Sequence, residues 1–236
     1  MDIIRRPSPN FNDRPQSVAI TMVVMHYTNM PDAALALDRL CDPEAKVSAH
    51  YLIDEAGTVF SLVAEDKRAW HAGVAYWQGE RDINGCSLGI ELAHQGPAAD
   101  GTCVPFPSGQ MRALADLLSD ISTRHDIPPA RFLGHSDVAP ARKRDPGEMF
   151  DWDWLAGQGF GQISDVAGET GKILDTVSLQ AALARFGYEV SQTGQFDDVT
   201  RQAVTAFQRH HRRGLVDGVI DAMTCARLLD LLSRAR

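Results

Sequence analysis

The run AITMVVMHYT, residues 19 to 28, restricts the possible folds more than any other stretch of the chain. It is apolar at odd and even positions alike, whereas a strand with one face in water alternates. It therefore reads as a central strand covered on both sides, with His26 near its C-terminal end. That strand needs a sheet with a layer on each face, and the flanking segments supply the parts. In MPDAALALDRLCD, Pro31 suits a first helical turn and Leu37 and Leu40 share one buried face. SAHYLIDEAGTVFSLV holds two β-rich runs around the turn signal DEAG, a hairpin at about residues 47 to 63. CSLGIELAH, residues 86 to 94, puts Leu88, Ile90 and Leu92 on one face and Ser87, Gly89, Glu91 and Ala93 on the other. A helix from Ser108 to His125 carries Leu114, Leu117, Leu118 and Ile121 at helical spacing, and RFLGHSD gives a short strand ending at His135. The expected class is α/β, a central mixed β-sheet flanked by helices, with polar residues at strand ends, where open sheets bind ligands.

After this the character of the chain changes. AGQGFGQISDVAGETGK, residues 156 to 172, holds five glycines and no sustained periodicity, as a linker would. Three helical patterns follow, at about 176 to 187, 197 to 211 and 221 to 234. Two begin alike, FDDVT and IDAMT, each with an N-cap aspartate and a threonine three residues on. The expected organisation is a catalytic domain over 1–157, a linker over 158–172 and a small C-terminal three-helix domain over 173–236 that contains no catalytic cluster. A 236-residue chain that is 44% hydrophobic can bury one medium core and one smaller one, which agrees with this division.

Composition removes several function classes. A net charge of -8 with scattered cations offers nucleic acid no electrostatic footprint, so no nucleic-acid partner is expected. No stretch is long and apolar enough for a membrane helix, and MDIIRRPSPNFNDRPQ lacks the apolar core of a secretory signal. The chain as given is expected in the cytoplasm, or in the periplasm if a leader has been removed, and as a monomer. Cys41, Cys86, Cys103 and Cys225 form no CxxC pair and read as reduced, partly buried thiols. No GxSxG occurs, and no cysteine has an activating neighbourhood, so a covalent nucleophile finds little support.

A metal mechanism fits better. A catalytic zinc takes three protein ligands from His and carboxylate and keeps a fourth position for water. His26 and His135, both at strand ends, are candidates, and Asp145 in the turn RDPG can be the third, since Pro146 restricts it to extended geometry. Glu91 has small neighbours on its strand face that leave room for substrate, which suits a general base. Lys143, two residues before Asp145, can place an ammonium beside an oxyanion. Each residue also has a plainer reading. The histidines can be hydrogen-bonded structural groups, Glu91 can pair with an arginine at a sheet edge, and RKR at 142 to 144 can be a solvated turn, the expected role of Arg144. Of the other histidines, His50 and His71 are placed near the site, His94 and His125 at the surface or in loops, and His210 and His211 on an exposed helix end.

VVMHYT, SAHYLID, AWHAG, SLGIEL and GHSDVAPARKRDPG, taken in order over roughly residues 15 to 157, resemble the zinc-dependent N-acetylmuramoyl-L-alanine amidases of the AmpD and AmiD type. This amidase_2 group shares its fold with peptidoglycan recognition proteins and phage amidase lysozymes. The resemblance implies Zn2+ held by His26, His135 and Asp145, with Glu91 as base and Lys143 as oxyanion stabiliser. Tyr27, Trp70 and His71 would wall the substrate groove. The implied activity is hydrolysis of the amide between N-acetylmuramic acid, or its 1,6-anhydro form, and L-alanine of the stem peptide. Peptidoglycan fragments are thus the expected partners, in recycling. An exported wall-lytic amidase and a non-catalytic recognition protein are the alternatives. TGQFDDVTRQAVTAFQRHH and GLVDGVIDAMT are similar to the type 1 peptidoglycan-binding domain, and the two-part arrangement is nearer to the AmiD type than to the single-domain AmpD type.

Overall fold

A computed structural model describes residues 2–168 and 171–234. Its centre is a six-stranded mixed sheet of β1 (Ile3–Arg5), β3 (Met22–Tyr27), β4 (Tyr51–Ile53), β5 (Val59–Ser61), β7 (Ser87–Leu92) and β8 (Phe132–Gly134). Across the sheet the order is β1-β5-β4-β7-β3-β8, and β2 (Phe11–Asp13) pairs separately with β6 (Lys67–Ala69). The apolar run forms β3, which lies parallel to β7 on one side and to β8 on the other. β4 runs parallel to β7 and antiparallel to β5, so the hairpin forms as expected. Its turn is held by the Asp54 carboxylate, which accepts from the amides of Ala56 at 3.0 Å and Thr58 at 2.7 Å.

β3 is covered on both faces. On one, Val23 and Met25 join Leu88, Ile90 and Leu92 of β7 under α3 (Ser108–Ser122), which contributes Leu114, Leu117, Leu118 and Ile121. On the other, Met22, Val24 and Leu133 share a core with Leu179, Leu183, Phe207 and Leu228. These belong to the C-terminal helices α6 (Thr176–Phe186), α7 (Asp198–His211) and α8 (Ala222–Arg234). The smaller core anticipated for these helices is therefore continuous with one face of the sheet. Full burial of side chains such as Leu179, Leu183 and Phe207 is worth about 1.5–3 kcal/mol each, so the helices are held firmly against it. The two sequence echoes are N-caps: Asp197 accepts from the Thr200 amide at 2.8 Å and Asp221 from that of Thr224 at 2.7 Å.

Shorter helices complete the frame: α1 (Ala33–Cys41), α2 (Ile83–Cys86), α4 (His135–Val138) and α5 (Trp152–Gly157). Asp32, not Pro31, opens α1, its carboxylate accepting from Leu35 at 2.8 Å, so Pro31 lies just outside the helix it was expected to begin. Leu37 and Leu40 pack with Leu52 as anticipated. From Gln158 to Asp175 the described residues form no helix or strand, yet Ile163 packs on the core and Ser164 Oγ donates to Asp230 at 2.7 Å. All four cysteines are free thiols. Among the described residues no helix is long and apolar enough to cross a membrane.

Candidate metal centre

The parallel strands β3, β7 and β8 bring their C-terminal ends to one edge of the sheet, where an α/β architecture opens a crevice. His26 is the last residue but one of β3, and the register sets it opposite Glu91 of β7. β8 leads directly into α4, whose first residue is His135. The loop beyond α4 returns Asp145 to the same point, tied by the Ser136 amide donating to the Asp145 carbonyl at 2.9 Å. A cleft of about 400 Å³ opens over this edge, lined by His26, Glu91, His135, Lys143 and Asp145 together with Tyr27, Trp70 and His71. All eight residues singled out in the sequence thus meet in one place.

Three ligand atoms converge there. His26 Nδ1 lies 2.9 Å from His135 Nδ1 and 2.9 Å from Asp145 Oδ2, and His135 Nδ1 lies 3.0 Å from the same oxygen. The hydrogen-bond network assigns the ring protons. Ser87 Oγ donates to the Ile83 carbonyl at 2.5 Å, so it accepts from His71 Nε2 at 3.2 Å. His71 Nδ1 is then a lone pair, and it accepts from His26 Nε2 at 3.1 Å. His135 Nε2 donates to the Ala72 carbonyl at 3.0 Å. In the neutral rings both Nδ1 atoms are consequently bare. Burial, reinforced by the neighbouring His135, pushes His26 down to about 4 and keeps it neutral near pH 7.

Two nitrogen lone pairs and a carboxylate oxygen thus face one another, and all three residues are buried. Such an arrangement is repulsive unless a cation sits between them. Their separations are close to the ligand edge of about 3.3 Å in a tetrahedral site with bonds of about 2.0 Å, and the N, N, O donor set is one that zinc accepts. The residues fit a divalent metal.

Glu91 stands beside the triad without an arginine partner, and its Oε2 is buried with no hydrogen-bond partner among the described residues. Burial first, and the Asp145 charge second, push its carboxyl up to about 8, against a smaller opposing pull from Lys143. Lys143 and Arg144 both line the cleft, and Arg144 is in addition solvated, 3.5 Å from Glu148. Arg142 does more than decorate the turn, since it donates to the Ala72 carbonyl at 3.0 Å and to that of Val74. Trp70 Nε1 donates to Asn12 Oδ1 at 2.8 Å, which fixes the indole at the rim.

Several expectations about neighbouring residues need correction. The space over Gly89 is filled by the His71 ring, not left free for substrate: a Cβ on Gly89 would meet His71 Cγ at 2.4 Å. His50 is fully buried beneath His71 and does not line the cleft, its Nδ1 accepting from the Gly89 amide at 3.0 Å. His94 lies in a loop beyond β7, as expected, but it is buried there, stacked on Phe106 with centroids 4.3 Å apart. His125 is likewise in the loop expected for it, half-buried and 2.8 Å from Glu65. His210 and His211 are interior residues rather than an exposed helix end, because the last turn of α7 packs into the molecule, where His210 stacks on Trp152 at 3.7 Å. Ser87 and Asn84 were missed as supporting residues. Asn84 Oδ1 accepts from the amides of His71 at 3.2 Å and Ala72 at 2.8 Å, so it fixes the segment that supports both His26 and His135. Nothing in the local pattern INGCS announces this.

Comparison with known proteins agrees with the geometry. Residues 16–148 match the Amidase_2 family model, described as N-acetylmuramoyl-L-alanine amidase, and residues 174–228 match a peptidoglycan binding domain model. The chain is 38% identical over 229 residues to the N-acetylmuramoyl-L-alanine amidase AmiD of Escherichia coli K12, covering 88% of this chain and 80% of that protein. It superposes with a TM-score of 0.83 at 33% identity on E. coli AmiD in complex with the substrate anhydro-N-acetylmuramic acid-L-Ala-D-gamma-Glu-L-Lys, covering 95% of this chain and 98% of that one. AmpDh3 of Pseudomonas aeruginosa in complex with anhydromuramic pentapeptide gives a TM-score of 0.83 at 32% identity, with 92% of each chain covered. With that match spanning most of the central sheet together with His26, His135 and Asp145, the chain belongs to the Amidase_2 family of N-acetylmuramoyl-L-alanine amidases.

Proposed function

We propose that this protein is a zinc-dependent amidase that hydrolyses the amide joining the lactyl group of N-acetylmuramic acid, including its 1,6-anhydro form, to L-alanine of a peptidoglycan stem peptide. The observation that carries the reading is the proton-free convergence of His26 Nδ1, His135 Nδ1 and Asp145 Oδ2 beside the unpartnered carboxyl of Glu91. The two relatives described in complex with anhydromuramyl peptides support the substrate class.

His26, His135 and Asp145 would hold the ion, which when bound supplies a Lewis acid and lowers the pKa of an attacking water. Glu91 accepts that water's proton and returns one to the leaving alanine amine. Its burial suits this role, because it raises the carboxyl toward the range in which it both takes and gives a proton. Lys143 brings a positive charge to the oxygen of the former carbonyl as negative charge grows on it. Tyr27 and Trp70 wall the groove, and His71 lines it while also accepting from His26 Nε2 at 3.1 Å. Incubation with an anhydro-muropeptide followed by mass spectrometry tests the reading. Free stem peptide and free anhydro-sugar are expected, with neither after chelation. Intact substrate beside zinc-loaded protein would instead mark a recognition protein that binds without cutting.

A further inference from the structure

The C-terminal helices reach the ligand turn directly. Asp137, two residues after His135, is 1% exposed, and its Oδ2 accepts from the Gly134 amide at 2.7 Å. That bond fixes the entry to α4, and hence the direction in which His135 leaves the backbone. The same carboxylate takes two further hydrogen bonds, both from the C-terminal module. His210 Nδ1 of α7 donates to Oδ2 at 2.7 Å, and Tyr188 OH, just beyond α6, donates to Oδ1 at 3.2 Å. One residue before His210, Arg209 donates to Glu148 Oε1 at 2.9 Å, three residues after Asp145. Helix α7 therefore grips the chain on both flanks of the segment that carries two of the three ligands.

These are not incidental surface contacts. Tyr188, Arg209 and His210 are 2%, 6% and 3% exposed, and a buried carboxylate accepting three hydrogen bonds sits in one well-defined position. If the module served only to hold glycan, nothing would require its side chains to satisfy a carboxylate in the first turn after a metal ligand. We propose that the C-terminal module is a clamp on the metal centre: Tyr188, Arg209 and His210 are positioning residues that hold residues 134 to 148 in the shape that brings His135 and Asp145 to His26. The proposal rests on the reading that this triad binds zinc.

The test uses the full chain and zinc affinity, measured by competition with a chromogenic chelator, alongside kcat and KM on a soluble anhydro-muropeptide. Tyr188→Phe removes one hydroxyl with little change of shape. His210→Ala removes the donor, and His210→Asn restores an N–H close to the Nδ1 position. Outer-shell partners of metal ligands typically set about 10-fold to 100-fold in affinity or activity. We expect His210→Ala to weaken zinc binding about 10-fold and Tyr188→Phe about threefold, with His210→Asn recovering most of the loss and kcat falling while KM holds. Zinc affinity equal to wild type in both His210→Ala and Tyr188→Phe, each folded by circular dichroism, overturns the clamp. So does a rise in KM with kcat unchanged, which would mark the module as a substrate-binding element. A wild-type protein that binds no zinc would instead remove the metal reading beneath it.

Discussion

Replacing Gly89 by alanine reaches the metal centre through a ring that is not a ligand. Gly89 lies inside β7, paired with Val24 of β3 on one side, while on the other its carbonyl accepts from His50 N at 3.0 Å. Its backbone therefore has little freedom to retreat. An added Cβ would stand 2.4 Å from His71 Cγ and 2.7 Å from Cδ2 and Nδ1. Carbon atoms rest at about 3.5–4.0 Å, so the ring must move by about 1 Å or more. A shift of that size stretches the 3.1 Å bond between His26 Nε2 and His71 Nδ1 beyond hydrogen-bonding range. His26 then loses the acceptor that keeps its proton on Nε2 and its Nδ1 bare. Gly89→Ala should weaken zinc affinity about 10-fold to 100-fold, in line with loss of an outer-shell partner, and cost about 1–3 kcal/mol in urea unfolding through overpacking. Removing the ring removes the clash, so the same substitution in a His71→Ala background should have little effect on zinc affinity. Affinity within twofold of wild type in Gly89→Ala, or an equal loss with and without the His71 ring, would show that the ring does not carry the effect to His26.

Other perturbations separate chemistry from scaffold. Glu91→Gln keeps the shape but cannot take a proton. It should lower kcat by about 10²-fold to 10⁴-fold with zinc content unchanged, as turnover and metal analysis would reveal. At acid pH the expected weak point is Glu65, whose carboxyl is raised by burial but brought down to about 2 by hydrogen bonds from Arg124, His125 and Tyr51. A carboxyl lowered in the folded state stabilises above its unfolded pKa of about 4.3 and loses that contribution as pH falls toward 2. Allowing for its partial solvation, the loss is about 2 kcal/mol, and Glu65→Gln should flatten the stability profile across that window in pH-dependent urea melts.

How much of this was legible in the sequence depended on whether position along one element was enough. The β7 alternation put Leu88, Ile90 and Leu92 on one face and Glu91 on the other, which is a property of a single strand, and the sheet register then set Glu91 beside His26. Asp145 was legible because a short turn holds it close to α4. The relay from Ser87 through His71 to His26 was not, since it needs three separated segments to pack at one point. The same is true of His210 and His211. Local pattern reads the end of α7 as a wet helix terminus, with Arg209, Arg212 and Arg213 around the two histidines. Tertiary packing against Trp152 and Asp137 overrides that reading. The buried carboxylate of Asp137 had to find donors somewhere, and besides the local Gly134 amide two of them come from residues 51 and 73 positions further along the chain.

One titration decides whether hydrolysis depends on the metal: zinc added stepwise to chelator-stripped protein in the presence of an anhydro-muropeptide, with bound metal and released stem peptide followed together. Both should rise in parallel and level off at about one zinc per chain, as a single three-ligand site requires, and His26→Ala should give neither signal. Hydrolysis by the stripped protein, or full hydrolysis by a His26→Ala variant that binds no metal, would contradict that dependence.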